Sequence, residues 1–436
     1  MRNFLFNLST LLLLTHYASS QTFDATLAAK LQNTIDSMRI ANNYKGISAS
    51  VIYPGQGMWQ GVTGISHTGF PITPDMEFAI ASNTKPFTGV VVLKLAQSGI
   101  INLDDSLHEW LPSFTNVDSN ITIRQLLNHT SGLADVNNVI GYTDSISINP
   151  NRIFTPTELM TWVGAPLFPA GTSWNYSNTD YLLAAMVSES ATGQSFGQLL
   201  HDSILTPLQL DSTFLDVYDP VIGTVAHPWQ GAIDKSAFVR TALNSAAWSA
   251  GGMYSTSSEM AQWFNALMSG QLLNSYGFNE MTTFIGSGNY GIGLIETTIL
   301  GRTVWQHGGT ILGYNSTMMY DTTTHAVICV LINQNPAQAF LVAQQLLSNI
   351  ISTSVGINEI SSNQANVIMF PNPTTGNVQL NTIGQKIQST KIYNSTGELL
   401  QEHFTSEFSV ANLPSGLYFV ITQTDKGFFT NKLIKQ

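Results

Sequence analysis

The feature that most constrains the fold is a helix without a polar face. Residues 87–96 are apolar almost all round, and the run ends at Gly99. Such a helix must be buried on every side, in the core of a large domain. Pro86 lacks a backbone N–H and is tolerated only in a first turn, so the helix begins near Ser82. Other elements must therefore pack around this helix.

Two residues at the start of this helix could carry chemistry. Ser82 and Lys85 are three positions apart and share a helix face, so the amine can approach the hydroxyl. Desolvation disfavours the charged form of lysine, and lowering its pKa from ~10.4 to about 7 requires roughly 5 kcal/mol. An N-capping serine beside a snorkelling lysine is the structural alternative. Of the ten lysines, only Lys85 follows a serine at this spacing.

Two further segments could complete a site. Tyr176-Ser177-Asn178 combines a phenol that can relay a proton with an amide that can hold a carbonyl or the lysine. A hydrogen-bonded loop tyrosine and a helix-capping asparagine are the alternative. His307-Gly308-Gly309-Thr310 follows a strand, and glycine there permits close approach by a ligand. His129 competes with His307, but it follows a capped helix whose last carbonyls a histidine can meet, so we interpret it as structural.

In order and spacing, Ser82-x-x-Lys85, Tyr176-Ser177-Asn178 and His307-Gly308-Gly309 resemble the three motifs of the serine β-lactamase and penicillin-binding DD-peptidase superfamily. The resemblance is closest to class C β-lactamases and secreted D-alanyl-D-alanine carboxypeptidases, and covers about residues 25–355. Segments 123–133 and 249–256 look like family landmarks too. The resemblance implies an α+β fold: an antiparallel sheet flanked by helices, with a helical subdomain.

The resemblance also implies an acyl-enzyme mechanism. Ser82 would attack an amide or ester carbonyl, with Lys85 and Tyr176 sharing the base and acid roles. His307 would tune Tyr176, and water would release the acyl group. No cofactor and no metal is expected. The expected activity is D-Ala-D-Ala carboxypeptidase-like, with a family esterase or a β-lactamase as the alternative, or a non-catalytic penicillin-recognising wall-binding protein.

The implied substrate-binding residues are Asn178, Gly308, Gly309 and Thr310. Asn178 would orient the substrate amide, and the N–H groups of Ser82 and Thr310 would form an oxyanion hole. Typical lactamases have lysine and threonine where this chain has histidine and Gly308. Gly308 offers no hydroxyl to a substrate carboxylate, which leaves Thr310 or Arg302 to bind one. The substrate is therefore expected to be a D-Ala peptide, a β-lactam or an ester.

Other enzyme classes fit the sequence less well. Residues 193–197 match the Gly-x-Ser-x-Gly elbow of α/β-hydrolases, but that elbow needs a preceding strand. Residues 181–191 instead predict a helix, so Gly193 is interpreted as a helix stop and Ser195 as the next cap. No paired ligand motif for a catalytic zinc is present. The net charge of −11 disfavours a nucleic-acid partner.

Alternation and capping patterns predict the elements around these motifs. Helix starts are expected at Thr122, Thr155 and Thr256, with Gly270 ending the third helix. The single cysteine, Cys329, lies in an apolar run and is interpreted as buried strand filler. Helices are predicted at 25–40 and 337–351. Strands are predicted at 47–53, 58–65, 303–306, 314–320 and 326–333.

Both ends of the chain indicate export. Arg2, an apolar run and small residues before Gln21 predict a secretory signal peptide at residues 1–20, and no later run is long enough to span a membrane. The hydrolase domain is then expected at 21–358. Residues 365–436 predict an all-β domain that resembles the type IX secretion sorting domain of Bacteroidetes, with a sugar- or wall-binding β-sandwich as the alternative. The expected location is outside the cell or on its outer surface, after Sec and type IX export.

Overall fold

The apolar helix runs from Thr84 to Gln97, and 11 of its 14 residues are buried. It begins two residues later than predicted, because Ser82 lies in a preceding 3-10 turn, Ala81–Asn83. Pro86 sits in the first turn of the helix, where its missing N–H costs nothing. The burial expected from the sequence is therefore confirmed, and it places Ser82 and Lys85 at the edge of the core.

The computed structural model describes residues 23–354, 367–382, 384–394, 399–425 and 427–436. The chain divides into two compact units between Thr353 and Ser354. The predicted signal peptide lies outside the described residues. The domain boundaries set at 358 and 365 fall there too and stay a prediction. In the described ranges, no helix has the length and apolar character needed to cross a membrane.

In the described ranges, the α-helices lie in the first unit, apart from Ser354 at the end of the last helix. They are α1 Ala25–Asn42, α2 Thr84–Gln97, α3 Ile123–Leu127, α4 Tyr142–Ile148, α5 Pro156–Leu159, α6 Asn178–Thr192, α7 Phe196–Leu200, α8 Thr206–Leu208, α9 Thr241–Gly251, α10 Ser257–Met268, α11 Ser275–Met281 and α12 Ala339–Ser354.

The strands of the first unit form one large sheet and two small ones. They are β1 Gly46–Tyr53, β2 Gly57–His67, β3 Phe70–Pro71, β4 Phe78–Ala79, β5 Phe214–Leu215, β6 Trp229–Gln230, β7 Ile233–Asp234, β8 Met253–Ser255, β9 Ile295–Ile299, β10 Arg302–Ile311, β11 Tyr314–Asp321, β12 Val327–Ile332 and β13 Gln334–Asn335.

The large sheet has seven strands in the order β3-β2-β1-β12-β11-β10-β9. Its long strands pair antiparallel, which confirms the expected sheet. β10 is longer than predicted: it continues through both glycines to Ile311 instead of ending at Gln306. Gly309 permits this, because a Cβ there would lie 2.2 Å from the Ile80 carbonyl oxygen. Backbone rather than ligand makes the close approach at this glycine.

Helices cover both faces of the sheet, as the pattern of β12 requires. All six of its residues are buried, and alternate ones belong to different cores. Ile328 faces α1 and α12, whereas Cys329 faces the core built around α2. Cys329 is a free, buried cysteine, as predicted. The sheet is thus the middle layer between two sets of helices.

The predicted caps define several helix ends. Thr122 makes both hydrogen bonds of a capping box with Gln125 at the start of α3. The hydroxyls of Thr155 and Thr256 accept the expected backbone N–H groups at the starts of α5 and α10. Gly270, two residues beyond α10, has a φ of +75°, which suits a helix stop.

The second unit contains only strands in its described residues. They are β14 Ile368–Phe370, β15 Asn377–Asn381, β16 Ile387–Tyr393, β17 Leu399–His403, β18 Glu407–Ser409, β19 Gly416–Thr424 and β20 Gly427–Lys435. They form a three-stranded and a four-stranded sheet. Their apolar residues, among them Ile392, Val410, Val420 and Leu433, build a separate core.

The packing at Gly309 generates a stability prediction. Gly309→Ala should lower the free energy of unfolding by about 1–3 kcal/mol, because the new methyl overlaps the Ile80 carbonyl and the Ser316 hydroxyl. Gly308→Ala is the matched control, since its nearest atom would lie 3.7 Å away. Calorimetry of both full-length variants checks this. Equal unfolding midpoints for the two would contradict the packing argument.

Candidate active site

Four elements bring the predicted residues together. The 3-10 turn before α2 carries Ser82, and the first turn of α2 carries Lys85. Asn178 is the first residue of α6, so Tyr176 lies just before that helix. β10 contributes His307. Its neighbour β9 pairs only with residues 302–306, so from His307 onward that edge of β10 has no strand partner and packs near the Ser82 turn.

The backbone around Ser82 is held in an unusual conformation. Ala81 has a φ of +48°, a region that costs about 1–3 kcal/mol for a residue with a Cβ. Surrounding hydrogen bonds hold it there: the Ser316 hydroxyl donates to the Ile80 carbonyl at 2.7 Å, and the Asn83 amide donates to Ser316 at 2.8 Å. The strained residue therefore immediately precedes the serine hydroxyl that faces Lys85.

Lys85 is fully buried, and its amine has three oxygen partners. Nζ lies 3.1 Å from the Ser82 hydroxyl, 2.7 Å from Asn178 Oδ1 and 2.7 Å from the Ala250 carbonyl. Burial lowers its pKa to about 7, although the negative charges of Asp135 and Asp180 act in the opposite direction. Lys85 can therefore gain or lose a proton near neutral pH.

The chemistry of these partners determines where the lone pair of a neutral Lys85 points. A neutral amine has two N–H donors, and the oxygens of Asn178 and Ala250 can only accept. Both donors are therefore used on these carbonyls. The remaining lone pair faces the Ser82 hydroxyl, which can donate. This arrangement can remove the serine proton.

Tyr176 lies beside this pair. The Lys85 ammonium is 4.8 Å from the centre of its ring, and its hydroxyl bonds to the Ser82 side chain. Desolvation raises the pKa of Tyr176, so the phenol keeps its proton at neutral pH. A protonated phenol can donate to an atom bound to Ser82. Tyr176 and Lys85 thus both lie beside the Ser82 hydroxyl.

His307 contacts Tyr176 less directly than expected. Its Nδ1 lies 2.7 Å from the Gly308 carbonyl oxygen, which can only accept, so Nδ1 carries the proton. Burial, assisted by the Lys85 charge, lowers the pKa of His307 to about 3, and the ring is therefore neutral. Nε2 then accepts from the Tyr290 hydroxyl at 3.1 Å. Both ring nitrogens of His307 therefore have hydrogen-bond partners other than Tyr176. The ring centres of His307 and Tyr176 lie 6.3 Å apart. The tuning role of His307 stays a prediction.

Ser82, Asn178 and Thr310 line one cavity of about 140 Å³, which we call the serine cavity. Gly308 and Gly309 do not line it. Arg302 is five residues before His307 on β10 and pairs with Asp321 at 3.2 Å. It does not line the serine cavity either, so Thr310 is the remaining candidate from the sequence for contact with a substrate carboxylate.

Asp135 is a residue of this site that sequence reasoning missed. Its Oδ2 accepts from the Asn178 amide nitrogen at 2.8 Å, while its Oδ1 accepts from the Asn137 N–H. A carboxylate can only accept and Lys85 only donates here, so these two neighbours fix which way the Asn178 amide faces. An acid with Leu133, Ala134 and Val136 as its neighbours was the available signal.

His129 is structural, but in a different way from that expected. It is fully buried, and Nδ1 lies 2.7 Å from Asp180 Oδ2 rather than against the carbonyls of α3. Burial raises the pKa of Asp180 and lowers that of His129, which favours a neutral pair. The His129 ring centre is 4.5 Å from those of both Tyr176 and Tyr290. It therefore packs the tyrosines that contact Ser82 and His307.

Ser195, the serine of the Gly-x-Ser-x-Gly match, lies at the start of a helix. Ser195 is exposed and caps α7, its hydroxyl accepting from the Gln198 N–H. Gly193, with a φ of +72°, ends α6. The preceding element is a helix rather than a strand, so the α/β-hydrolase elbow is not formed.

Known proteins have similar folds. A D-stereospecific amidohydrolase from Streptomyces sp. superposes with a TM-score of 0.66 at 29% identity, covering 74% of this chain and 97% of that one. A D-amino acid amidase from Ochrobactrum anthropi SV3 gives 0.68 at 24% identity, covering 76% and 100%. The second likeness concerns the fold alone. Both support the β-lactamase/transpeptidase-like α+β fold.

Curated relatives match over a shorter stretch. Penicillin-binding protein 4* of Bacillus subtilis (strain 168) is 35% identical over 144 residues, 33% of this chain and 31% of its own. Protein flp of Staphylococcus aureus (strain MW2) is 36% identical over 147 residues, 32% of this chain and 28% of its own. The chain thus spans about a third of the length of these relatives.

Two family descriptions cover most of the chain. Residues 368–436 match the secretion system C-terminal sorting domain, which confirms the predicted type IX sorting domain. Residues 24–348 match the Beta-lactamase description. Proteins of that fold are generally serine hydrolases, among them amidases and peptidases. Because the match spans most of the chain, this protein belongs to the β-lactamase family of serine hydrolases and carries a type IX sorting domain.

Proposed function

We propose that this protein hydrolyses amide bonds of D-configured substrates through an acyl-enzyme on Ser82, with D-Ala-D-Ala carboxypeptidase-like activity. The observation that carries the proposal is the buried Lys85 amine. Its two carbonyl partners leave the lone pair for the Ser82 hydroxyl. Burial lowers its pKa to about 7, which suits a base at neutral pH.

In the proposed reaction, the Ser82 proton passes to Nζ of Lys85 while Oγ forms a bond to the substrate carbonyl carbon. The carbonyl electron pair moves to oxygen and returns as the C–N bond breaks. The leaving nitrogen receives a proton from Tyr176, which is reprotonated by Lys85. Water then attacks the ester with the same groups as base and acid. Asn178 and Thr310, which line the cavity, would contact the substrate.

Similarity supports the substrate class. The Streptomyces protein is described as a D-stereospecific amidohydrolase, and the Bacillus relative as a penicillin-binding protein. Gly308 has no hydroxyl to offer a terminal carboxylate. We therefore propose that D-amides as well as D-Ala-D-Ala peptides are substrates. β-Lactam or ester turnover as the main activity would instead favour the β-lactamase or esterase alternative.

A pair of alanine variants tests which candidate serine, Ser82 or Ser195, is the nucleophile. Ser82→Ala should lower hydrolysis of D-phenylalanine amide, a D-Ala-D-Ala peptide, a cephalosporin and a nitrophenyl ester to background, because the covalent step is lost. It should also abolish labelling by a fluorophosphonate, read by mass spectrometry. Ser195→Ala, the matched control, should keep both. Equal labelling of wild type and Ser82→Ala would remove Ser82 from the mechanism and favour Ser195, whereas no labelling of either protein would favour the wall-binding alternative.

The second prediction concerns Asp135 and pH. Acylation by wild type should rise with pH through about 7, since only the neutral Lys85 accepts a proton. Asp135→Asn removes a negative charge that raises the Lys85 pKa, so the midpoint should move to lower pH. Stopped-flow acylation rates across pH 5–9 measure it. Exposed Asp144 supplies the control, Asp144→Asn, which should leave the midpoint in place. A D135N midpoint at or above that of wild type would contradict this account.

We also propose that residues 365–436 direct the enzyme to the outer surface or the medium through the type IX secretion machinery. The match to the sorting domain supports this. The separate core of this unit, built from Val410, Val420 and Leu433 among others, supports independent folding of the two units. A sorting unit with its own core can be added without altering the hydrolase packing.

Deletion of residues 365–436 tests this export. In a bacterium with a type IX system, the truncated chain should accumulate in the periplasm, because the machinery no longer has its recognition domain. The periplasmic fraction should still label with fluorophosphonate. Full-length Ser82→Ala is the control and should reach the surface normally. Unchanged surface delivery of the truncated chain would refute the sorting role and favour a wall-binding domain.

A further inference from the structure

A second cavity, of about 200 Å³, adjoins the serine cavity. Leu243 and Ile311 line both cavities, and Ile311 follows Thr310 directly along β10. The two cavities therefore share part of their wall beside Thr310. The volume of the second cavity accommodates a group of several heavy atoms. The residues that line it are Val225, Ala226, His227, Pro228, Lys235, Ser236, Phe238, Arg240, Leu243, Asn244, Tyr254, Ile311, Leu312 and Tyr314.

The lining of the second cavity has an unusual charge for this chain. The whole chain has 27 acidic and 16 basic residues. Among the described residues that line this cavity, Lys235 and Arg240 are cationic and none is Asp or Glu. The rest of the wall is largely apolar and aromatic. A cavity of this kind favours an anionic group on an apolar stem.

The two cations differ in how they are paired. Arg240 makes two hydrogen bonds to Asp216, at 2.8 and 3.2 Å, and lies 4.9 Å over the Tyr254 ring. Its charge is thus balanced within the wall. The Lys235 ammonium has no hydrogen-bond or ion-pair partner among the described residues. Lys235 is half-buried, so it is the cation available to a ligand.

The nearest acidic side chain in sequence does not neutralise Lys235 directly. The Asp234 carboxylate bonds to His227 Nδ1 at 2.9 Å and accepts from the Ser236 N–H at 2.8 Å. It does not line the cavity. The backbone of Lys235 is held by its N–H, which donates to the Pro228 carbonyl. The ammonium therefore projects from a fixed backbone position.

We propose that the second cavity is a substrate subsite that binds a carboxylate on the acyl part of the substrate, with Lys235 as its ion partner. This rests on the proposed acyl-enzyme function. One free ammonium and an apolar wall match a carboxylate on a short methylene stem. A phosphate has a higher charge and would need more than one uncompensated cation, whereas the charge of Arg240 is already balanced by Asp216. Lys235, directly after β7, would thus bind a carboxylate on the acyl part of the substrate. Gly308 offers no hydroxyl to a carboxylate at the other end.

The test uses two esters that differ in one charge: mono-4-nitrophenyl adipate and its methyl ester. Both acylate with the same leaving group, and only the first has a free carboxylate on the acyl stem. In Lys235→Met, the ratio of kcat/KM for the acid over the methyl ester should fall about tenfold, mainly through KM. Lys235→Arg keeps the charge and should restore most of the ratio. Lys30→Met, an exposed lysine on α1, is the control and should keep it.

The outcomes separate the subsite from the reaction. An unchanged ratio in Lys235→Met, with both esters still hydrolysed, would overturn the subsite and leave the proposed function standing. An equal loss on both esters would also overturn it, since a charge-specific contact cannot act on the neutral ester. Failure of wild type to hydrolyse the acid would overturn the subsite, whereas the proposed function falls only if D-phenylalanine amide and the D-Ala-D-Ala peptide are not hydrolysed either.

Discussion

The site depends on one buried amine. Lys85 lies in a water-excluded core, where its charged form is destabilised, and two of its three partners are carbonyl oxygens that can only accept. These two facts set both the proton affinity of the amine and the direction of its lone pair. Neither α2 nor α6 alone could do this, because Asn178 comes from α6 and Ala250 from α9. The packing of three helices thus creates the proposed base.

The sheet holds the turn that carries the serine, as the helices hold the lysine. The left-handed conformation at Ala81 is unfavourable by itself and persists because Ile80, Asn83 and Ser316 hold both sides of it. Gly309 allows β10 to come this close. Preorganisation of this kind lets a nucleophile meet a substrate without rearrangement. The same strand continues past Thr310 to the second cavity, which links the proposed chemistry to the proposed substrate choice.

Much of the fold follows from local patterns in the sequence. The almost wholly apolar helix after Pro86, the strands β1 and β2, and the caps at Thr122 and Thr256 were predicted because each depends on residues close together in the chain. The extent of β10 was not. Its continuation through two glycines depends on Ile80 and Ser316, which are distant in sequence. Patterns of residues carry no distances between segments, so a contact of this kind has no local signal.

The sequence by itself determined the family motifs, the expected order of the elements and the position of Ser82 and Lys85 at one helix start, because three-residue spacing on a helix is a local property. Only the tertiary structure decided the rest of the site. Asp135 orients Asn178, Tyr290 occupies the free nitrogen of His307, and His129 pairs with Asp180. It likewise placed Arg302 away from the serine cavity and Lys235 in the second one. The physical reason is that hydrogen bonds and desolvation act between residues that folding brings together from distant parts of the chain.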